Sequence, residues 1–487
     1  MAGDAATGDV QFRYLKLAAE IEKKVNMGVY LAGEKLPSIR KLHGQTGLSI
    51  TTVYQAFIEL EKRGIVEARQ KSGYYVKPLL HQILPTPKIK RHRAVPKRVT
   101  INNLASSIVE SMSDPGLLRL GGTVVDPDLL PHKQLMTAVK SIPAARFKDL
   151  LTLYENPMGS RELRRQIAKR TLPISQRAAA DDIVITNGCI EAVSLCLQAI
   201  AGPGETIVVE SPTYPWILQV IEDLGMFALE LCTDPETGID LEAFKKAVDR
   251  NRVSGCILIP NFHNPLGFEM PPENKQALVA FLNARGIPLI EDDIHGDLYF
   301  GRRRPVALQS FDKKGQVLYC SSFSKTLSPG LRIGWAIPGA YREQVKRLKL
   351  NSSIATTSMG QHLVAEFLKS GSYDRHLRSL RTALKNQASN TALAVARHFP
   401  RGTCLTAPKG GLTLWLELDP AVDGMQVFHE ARKRKIAILP GIMCSTTKKY
   451  KNFIRISCGF RWSAKIEAGI AALGDIVHKL QSDSGGE

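Results

Sequence analysis

Paired cysteines are missing from this 487-residue chain: its eight cysteines occur singly, with no C-x-x-C pair and no histidine cluster beside them. A disulfide framework or a zinc site is therefore not expected. No stretch approaches the ~20 apolar residues that span a membrane. The first ten residues, MAGDAATGDV, lack the basic and apolar regions of a secretory signal. We expect a cytoplasmic protein with no metal site and no membrane segment.

Acidic residues are absent from positions 77–100, which contain seven Lys or Arg and four Pro. This composition predicts a stiff, basic linker, placed at 79–115, that either contacts phosphates or is simply solvated. Of the net charge of +19, residues 1–100 contribute +10, with 18 Lys+Arg and 8 Asp+Glu. The N-terminal part is therefore expected to meet a polyanion. The length predicts two or three domains.

Three helical patterns and a hairpin open the chain. Apolar residues recur with helical spacing in 13–27, a second helix begins near Ser38, and Ser49 caps a third helix. Residues 65–69 and 73–76 predict two strands joined by a turn. This order of elements predicts a winged helix-turn-helix domain.

The polar face of the third helix suits contact with base edges, and nearby basic residues suit phosphates. The predicted DNA-binding residues are Ser38, Arg40, Ser49, Thr51, Thr52, Tyr54, Gln55, Arg69 and Lys71. The domain, placed at 10–78, resembles the DNA-binding domain of GntR-family repressors. The motifs that carry this resemblance are Gly33-Glu34-Lys35-Leu36-Pro37-Ser38-Ile39-Arg40-Lys41-Leu42, Leu48-Ser49-x-Thr51-Thr52-Val53 and Gly73-Tyr74-Tyr75-Val76. The family often has Arg where this chain has Ile50, so the operator sequence stays open. A small domain with another task, such as dimerisation, is the alternative.

From residue 116 onward, short apolar runs alternate with helical patterns. The runs are residues 183–186, 206–209, 256–259, 287–290 and 317–320. This rhythm predicts an α/β domain at 116–487 with a mostly parallel sheet. Ligands of such sheets bind at the carboxyl ends of the strands, and candidate side chains follow several of these runs.

A phosphate-bearing aldehyde cofactor would suit the residues after the last run. Lys325 stands among hydroxyl groups and could form a Schiff base, while Ser322, Ser324 and Arg332 could bind the phosphate. Free N–H groups at the helix start Cys189-Ile190 also suit a phosphate.

Three further positions fit a flat heteroaromatic ring. The Asn264 amide is placed to donate to a ring oxygen, and a carboxylate of Glu291-Asp292-Asp293 could pair with a protonated pyridine nitrogen. Tyr214 either stacks on the ring or packs in the protein. The acids around Asp292 could instead form a solvated strand end or a helix cap.

Together and in this order, these motifs resemble the aspartate-aminotransferase-type (fold type I) enzymes that use pyridoxal 5'-phosphate (PLP), over most of residues 116–487. The resemblance implies that Lys325 is the Schiff-base lysine. It implies that Tyr154 reaches the phosphate in the partner subunit, and that Arg455 grips the carboxylate of an amino acid. A structural ion pair is the alternative for Arg455. A smaller C-terminal α/β subdomain is expected from about residue 366. The remaining implied PLP-binding residues are Asp292, Asn264, Tyr214, Cys189, Ile190, Ser322, Ser324 and Arg332.

One position departs from the family pattern. A tyrosine usually follows the aspartate and donates to the ring hydroxyl, whereas this chain has His295. An imidazole titrates near pH 6.5 and differs in reach. His295 therefore leaves the pKa of the Schiff base and the catalytic competence open, and bears less on PLP binding itself.

A GntR-type winged helix, a basic linker and a fold type I domain, in that order, resemble the MocR subfamily of bacterial regulators. The resemblance implies a head-to-tail homodimer that binds a double-stranded DNA operator with repeated half-sites. The implied effector is an amino acid, an amine or PLP itself. A working aminotransferase with an accessory DNA-binding domain is the alternative. The polar face of the third helix and the local charge excess favour the regulator.

Overall fold

A computed structural model describes residues 13–69, 72–78, 80–88, 94–101, 108, 110–111, 114–171 and 178–484. The chain divides into two compact units, Met1–Ile83 and Leu84–Glu487. The division lies inside the segment predicted as a linker. Within the described ranges, no helix combines the length and the apolar composition that crossing a membrane requires.

The first unit is a winged helix-turn-helix, as predicted. Ser38 and Ser49 cap its second and third helices, because their hydroxyls accept hydrogen bonds from the backbone N–H groups of Lys41 (3.2 Å) and Thr52 (3.1 Å). The third helix buries one apolar stripe against the other two helices and the hairpin. Its elements are α1 (Arg13–Asn26), α2 (Ile39–Thr46), α3 (Ile50–Lys62), β1 (Val66–Arg69), β2 (Gly73–Val76) and α4 (Leu80–Ile83).

The second unit is built on a large, mostly parallel sheet with the strand order β3-β7-β6-β9-β10-β11-β12-β5, in which β8 pairs with β7. Strands β3 and β12 run antiparallel to their neighbours. The strands are β3 (Pro96–Arg98), β5 (Val184–Thr186), β6 (Thr206–Ser211), β7 (Phe227–Asp234), β8 (Gly238–Ile239), β9 (Gly255–Leu258), β10 (Leu289–Asp292), β11 (Val317–Ser322) and β12 (Gly334–Ile337). The predicted α/β fold with a mostly parallel sheet is confirmed.

Helices accompany these strands and continue into the C-terminal part. They are α5 (His132–Lys140), α6 (Ala144–Thr152), α7 (Arg161–Thr171), α8 (Cys189–Ile200), α9 (Pro215–Asp223), α10 (Leu241–Arg250), α11 (Pro272–Arg285), α12 (Arg342–Ser353), α13 (Ser358–Lys369), α14 (Ser372–His398), α15 (Gly424–Lys433) and α16 (Ala464–Ser484). The core of the sheet is apolar, with residues of α8 and α9 packed on its central strands.

A second, antiparallel sheet with the order β13-β14-β17-β16 lies in the C-terminal part. A separate parallel pair joins β4 to β15, so a segment near residue 118 pairs with the C-terminal part of the unit. The strands are β4 (Leu118–Arg119), β13 (Cys404–Leu405), β14 (Thr413–Glu417), β15 (Ile436–Ala437), β16 (Leu439–Pro440) and β17 (Phe453–Ser457). The subdomain boundary at about residue 366 stays a prediction.

Part of the predicted linker 79–115 is packed against the second unit. The N–H of Leu405 donates to the carbonyl of Pro85 (2.8 Å), and β3 adds an antiparallel edge strand to β7. Val99 and Ile101, which follow β3, are buried. An open sheet edge and apolar side chains after the basic run explain this attachment. The described part of the segment is therefore tethered at two places.

Candidate functional site

The start of α8 faces an arginine from another part of the chain. Gly188 precedes the helix with φ +87° and provides no side-chain cap for its N–H groups. The guanidinium of Arg332 donates to the carbonyl of Asn187 (2.9 Å). A Cβ at Gly188 would lie 2.6 Å from Arg332 Nη2, so only glycine admits this approach. Uncapped N–H groups at Cys189 and Ile190 beside a guanidinium form a site suited to an anion.

Lys325 is half-buried just after β11, and its Nζ donates to the carbonyl oxygen of Thr123 (2.6 Å). Burial, and then the positive charges of Arg455 and Arg332, lower the pKa of Lys325 to about 8. Asp292 acts in the opposite direction. These charges place the lysine amine within one electrostatic cluster with both arginines and the aspartate.

The three consecutive acids at the end of β10 have different partners. Glu291 accepts backbone N–H groups of Leu308 and Gln309 (2.8 and 3.0 Å). Asp293 pairs with Arg304 and accepts from Tyr319 (2.8 Å) and from another buried amide. Both carboxylates therefore already have protein partners and are not available to a ligand.

Asp292 is the acid that remains for the site. It is buried, and its Oδ1 accepts from the Cys189 thiol (3.4 Å) and from the N–H of Ile294 (3.1 Å). Burial raises the pKa of Asp292 to about 6, and Lys325 partly offsets that rise. The carboxylate thus lies between the start of α8 and the lysine amine.

Asn264 and Arg455 are joined in the same site. Arg455 Nη1 donates to Asn264 Oδ1 (2.8 Å), and Nη2 donates to the carbonyl of Gly121 (2.6 Å). In the described part of the chain, Arg455 has these neutral partners and no carboxylate. With Oδ1 engaged, the Asn264 amide nitrogen is the group that can donate to a ligand.

Tyr214 is the N-cap residue directly before α9, and its ring stacks on Trp216 with the ring centroids 5.3 Å apart. Burial raises the pKa of Tyr214 to about 12, Arg455 opposes the rise, and the side chain hydrogen-bonds Thr123. Tyr154 lies elsewhere, in the loop after α6, with 87% of its surface exposed. The structure therefore brings Tyr214 to the lysine cluster, while Tyr154 points into solvent in a single chain.

His295 is buried three residues beyond Asp292. Its Nδ1 lies 3.2 Å from the carbonyl oxygen of Phe262, and its Nε2 has no hydrogen-bond partner in the part of the chain that the structure describes. Burial, and then the nearby charge of Lys325, lower the pKa of His295 to about 3. Arg455 also lowers it, so the imidazole is held neutral beside the two cations.

Three polar atoms of this cluster are buried and have no hydrogen-bond partner among the described residues: Ser324 Oγ, His295 Nε2 and Arg455 Nε. Nearby, Ser322 Oγ accepts from the N–H of Ser324 (3.2 Å). Buried polar groups normally have partners, so a polar ligand that meets these atoms fits the cluster. The residues present fit PLP: an amine, an acid, an amide, an aromatic ring and an anion site converge.

The predicted DNA-binding face lies on the first unit. Thr51, Tyr54 and Gln55 are exposed on α3, opposite its buried stripe, and Thr52 is half-buried and bonded to the Ser49 hydroxyl (2.8 Å). Ile50 is 52% exposed at the start of the helix.

The remaining predicted positions flank that helix. Ser38 and Arg40 are exposed at the start of α2. Arg69 pairs with Glu67 (2.9 Å) and lies over the Tyr75 ring. Lys71 lies outside the described residues.

The segment Gly121–Thr123 is a part of the site that the sequence reasoning missed. The carbonyl of Gly121 accepts a hydrogen bond from Arg455, and the carbonyl of Thr123 accepts one from Lys325. The Thr123 side chain forms a hydrogen bond with Tyr214. A Cβ at Gly121 would lie 2.5 Å from the backbone of Ile438, so the close approach requires glycine. The Gly121-Gly122 pair was the available signal, because adjacent glycines indicate a tight backbone contact.

The fold and the site define an aminotransferase-like domain of the PLP-dependent type behind a winged-helix DNA-binding domain. Residues 125–473 match the family "Aminotransferase class I and II", and residues 13–76 match "Bacterial regulatory proteins, gntR family". The three helices and the hairpin of the first unit lie within the second match, and the strands of the large sheet other than β3 lie within the first.

Similar proteins show the same two types of domain, a DNA-binding regulator and an aminotransferase. The uncharacterized HTH-type transcriptional regulators YjiR and YdcR of Escherichia coli are each 35% identical over 96% of this chain and 99% of their own length. LysN, an alpha-aminoadipate aminotransferase of Thermus thermophilus solved with N-(5'-phosphopyridoxyl)-L-leucine, superposes with a TM-score of 0.73 at 26% identity. That match covers 79% of this chain and 96% of LysN. The chain belongs to the GntR-type transcriptional regulators that carry an aminotransferase class I and II domain, the MocR subfamily.

Proposed function

We propose that the second unit binds PLP at the Lys325 site and senses an amino acid or amine, and that the first unit binds operator DNA in response. The observation that carries the proposal is that Ser324 Oγ, His295 Nε2 and Arg455 Nε, in the cluster around the lysine amine, have no hydrogen-bond partner within the described ranges. Each buried polar atom without a partner costs free energy, and a polar ligand removes that cost.

When bound, PLP supplies an aldehyde that combines with primary amines and a ring that withdraws electrons. Lys325 would hold the aldehyde carbon, and Asp292 would pair with the ring nitrogen. The pKa of Lys325, lowered to about 8, leaves part of its amine unprotonated and nucleophilic near neutral pH. The residues for the phosphate are Cys189 and Ile190 through their N–H groups, with Ser322, Ser324 and Arg332.

Arg455 is the proposed effector contact. A guanidinium binds a carboxylate through two parallel N–H donors, and both Nη atoms of Arg455 now donate to neutral oxygens. A carboxylate would compete for Nη2 with the carbonyl of Gly121. An amine without a carboxylate would leave that hydrogen bond in place, so amino acids and simple amines should differ in this contact.

The segment Gly121–Thr123 connects the site to the rest of the unit. Its carbonyls accept from Lys325 and Arg455, and the preceding strand β4 pairs with β15. A cofactor bound to Lys325 and an effector bound to Arg455 would replace the hydrogen bonds from these two side chains to the segment. By linkage, the effector changes DNA affinity only through its differential affinity for the DNA-competent conformation, and this segment is the proposed element that differs.

The active assembly is proposed to be a head-to-tail homodimer. Apolar side chains of α5, α6 and the following loop are exposed, and Tyr154 lies among these elements in the sequence. A group of exposed apolar residues is typical of an interface. Pairing of two copies across this face would bring Tyr154 to the partner's phosphate site. Sedimentation equilibrium of the full-length protein tests it, and a monomer at all concentrations would contradict it.

A footprint of the PLP-loaded protein on its own upstream DNA tests the regulatory function, with and without pooled amino acids and amines. We expect a protected pair of half-sites that changes with one class of compound. Arg40→Ala together with Thr52→Ala should remove the protection, whereas Lys325→Ala should keep DNA binding and lose the response. An effect of the compounds in the Lys325→Ala protein would contradict effector sensing at this lysine.

A working aminotransferase is the second candidate, favoured by the convergence of Lys325, Asp292, Asn264 and Arg455 in one site. Its signature in the same samples would be spectral conversion of the cofactor by an amino acid without protection of DNA at moderate salt. That result would replace the regulatory proposal.

A further inference from the structure

His295 is the buried group whose chemistry differs most from the pattern of the aminotransferases. It has 2% exposure and follows the β10 acids, where a tyrosine hydroxyl usually donates to the cofactor ring. Its Nδ1 lies 3.2 Å from the carbonyl oxygen of Phe262. A carbonyl oxygen only accepts, so this hydrogen bond requires the imidazole proton to be on Nδ1.

Phe262 has an uncommon backbone conformation that orients this carbonyl toward His295. Its φ of 54° lies in the left-handed region, which a bulky side chain rarely adopts. Gly410 packs against its ring, where a Cβ would lie 2.6 Å from the ring carbons. A residue held in such a conformation near a binding site is consistent with a functional constraint on the group it orients.

The second ring nitrogen of His295 is therefore a hydrogen-bond acceptor. A neutral imidazole carries one N–H, so the proton on Nδ1 leaves a lone pair on Nε2. This atom is buried, and no described residue supplies a hydrogen-bond partner for it. The groups that face the ring electrostatically are Lys325, Arg455 and His263, and all three disfavour its protonation. The imidazole thus keeps its acceptor throughout the pH range in which the protein is handled.

Asn264 supplies the complementary group. Its Oδ1 accepts from Arg455, which leaves the amide nitrogen as a donor toward a ring oxygen. A hydroxyl between these two groups would accept a hydrogen bond from the Asn264 amide and donate one to His295 Nε2. A phenolate oxygen has no proton to donate, so it would be repelled by the lone pair on Nε2.

We propose that His295 Nε2 accepts a hydrogen bond from the 3-hydroxyl of the pyridine cofactor, so that this site favours the protonated hydroxyl where a tyrosine would favour the phenolate. The inference rests on the proposed PLP site and names a property of it. His295 is a positioning and tuning residue for the ring, with the opposite hydrogen-bond polarity to the tyrosine it replaces.

The test uses pyridoxine 5'-phosphate, which has the ring, hydroxyl and phosphate but no aldehyde. Its ultraviolet spectrum reports ionisation of the 3-hydroxyl when it is bound to full-length protein. We expect the pKa of that hydroxyl to be highest in the wild type, lower in His295→Phe and lowest in His295→Tyr, with about one pH unit between the extremes. His429→Phe, an exposed histidine on α15, is the matched control and should equal the wild type.

A second measurement uses only the wild-type protein, so it does not depend on the folding of a variant. In 15N-histidine-labelled wild type, the imidazole whose signals move when pyridoxine 5'-phosphate binds should show a protonated Nδ1 and an unprotonated Nε2. The opposite tautomer, or a wild-type hydroxyl pKa at or below that of His295→Tyr, overturns the inference alone. Failure of the wild type to bind pyridoxine 5'-phosphate would overturn the cofactor site itself, and this inference with it.

Discussion

Replacing Asp292 by Asn should stabilise the PLP-free protein while weakening its hold on the cofactor. The carboxyl is 2% exposed and burial raises its pKa from the ordinary 3.8 to about 6. An acid with a raised folded-state pKa destabilises the fold when it is ionised. That cost is absent below about pH 3, grows mainly between about pH 4 and pH 6, and is complete above about pH 7.

The magnitude follows from the size of the shift. Roughly two pKa units at about 1.36 kcal/mol each predict that Asp292→Asn raises the free energy of unfolding by about 3 kcal/mol at pH 8. The gain should shrink toward zero below about pH 3, where the wild-type acid is protonated in both the folded and the unfolded state. The asparagine oxygen can still accept from the N–H of Ile294.

Urea unfolding followed by tryptophan fluorescence measures this change in the second unit alone, because all four tryptophans lie beyond residue 84. Asp293→Asn is the matched control at the next position. This substitution removes the charge of one of the two carboxylates that pair with the half-buried Arg304, and we expect it to destabilise the unit by about 3 kcal/mol. Destabilisation of the protein by Asp292→Asn at pH 8, or an effect that does not vary with pH, would show that the ionised carboxylate does not destabilise the fold.

Three other perturbations address the two units separately. Lys325→Ala should abolish the visible absorption of lysine-bound PLP in the purified protein, and an unchanged band would show that another group holds the cofactor. Arg40→Ala with Thr52→Ala should weaken operator binding roughly tenfold or more and leave that absorption intact; unchanged affinity would refute the role given to this face. Ile50→Arg should steepen the salt dependence of DNA binding by about one unit of log K against log salt, because it adds a phosphate contact. An unaltered slope in a titration over salt concentration would mean that position 50 does not reach the DNA.

Local patterns in the sequence were enough to predict the fold of the first unit. Ser38 and Ser49 are N-caps, and the apolar stripe of α3 follows from its 3.6-residue period. Such features depend on neighbours within a few residues, so they can be read directly. In the second unit, alternation of apolar runs and helices predicted the parallel sheet and the strand ends near Lys325.

Contacts between distant residues were beyond the reach of these patterns. Strand β3 was predicted as a solvated or phosphate-contacting linker, because a three-residue basic segment becomes a strand only when an open sheet edge accepts it. Among the acids 291–293, the neighbouring backbone amides and Arg304 decide which carboxylate remains for the site. Those partners come from other parts of the chain.

The two classes of domain, their order and the residue types of a PLP site could be predicted from the amino-acid sequence, because they depend on local periodicity and on motif order along the chain. The folded structure was needed to show that Thr123, 202 residues from Lys325, accepts a hydrogen bond from the lysine amine. It was also needed to show that the carbonyl of Phe262 fixes the position of the proton on His295. Both depend on the close approach of backbone segments that are remote in sequence, and no local preference encodes that approach.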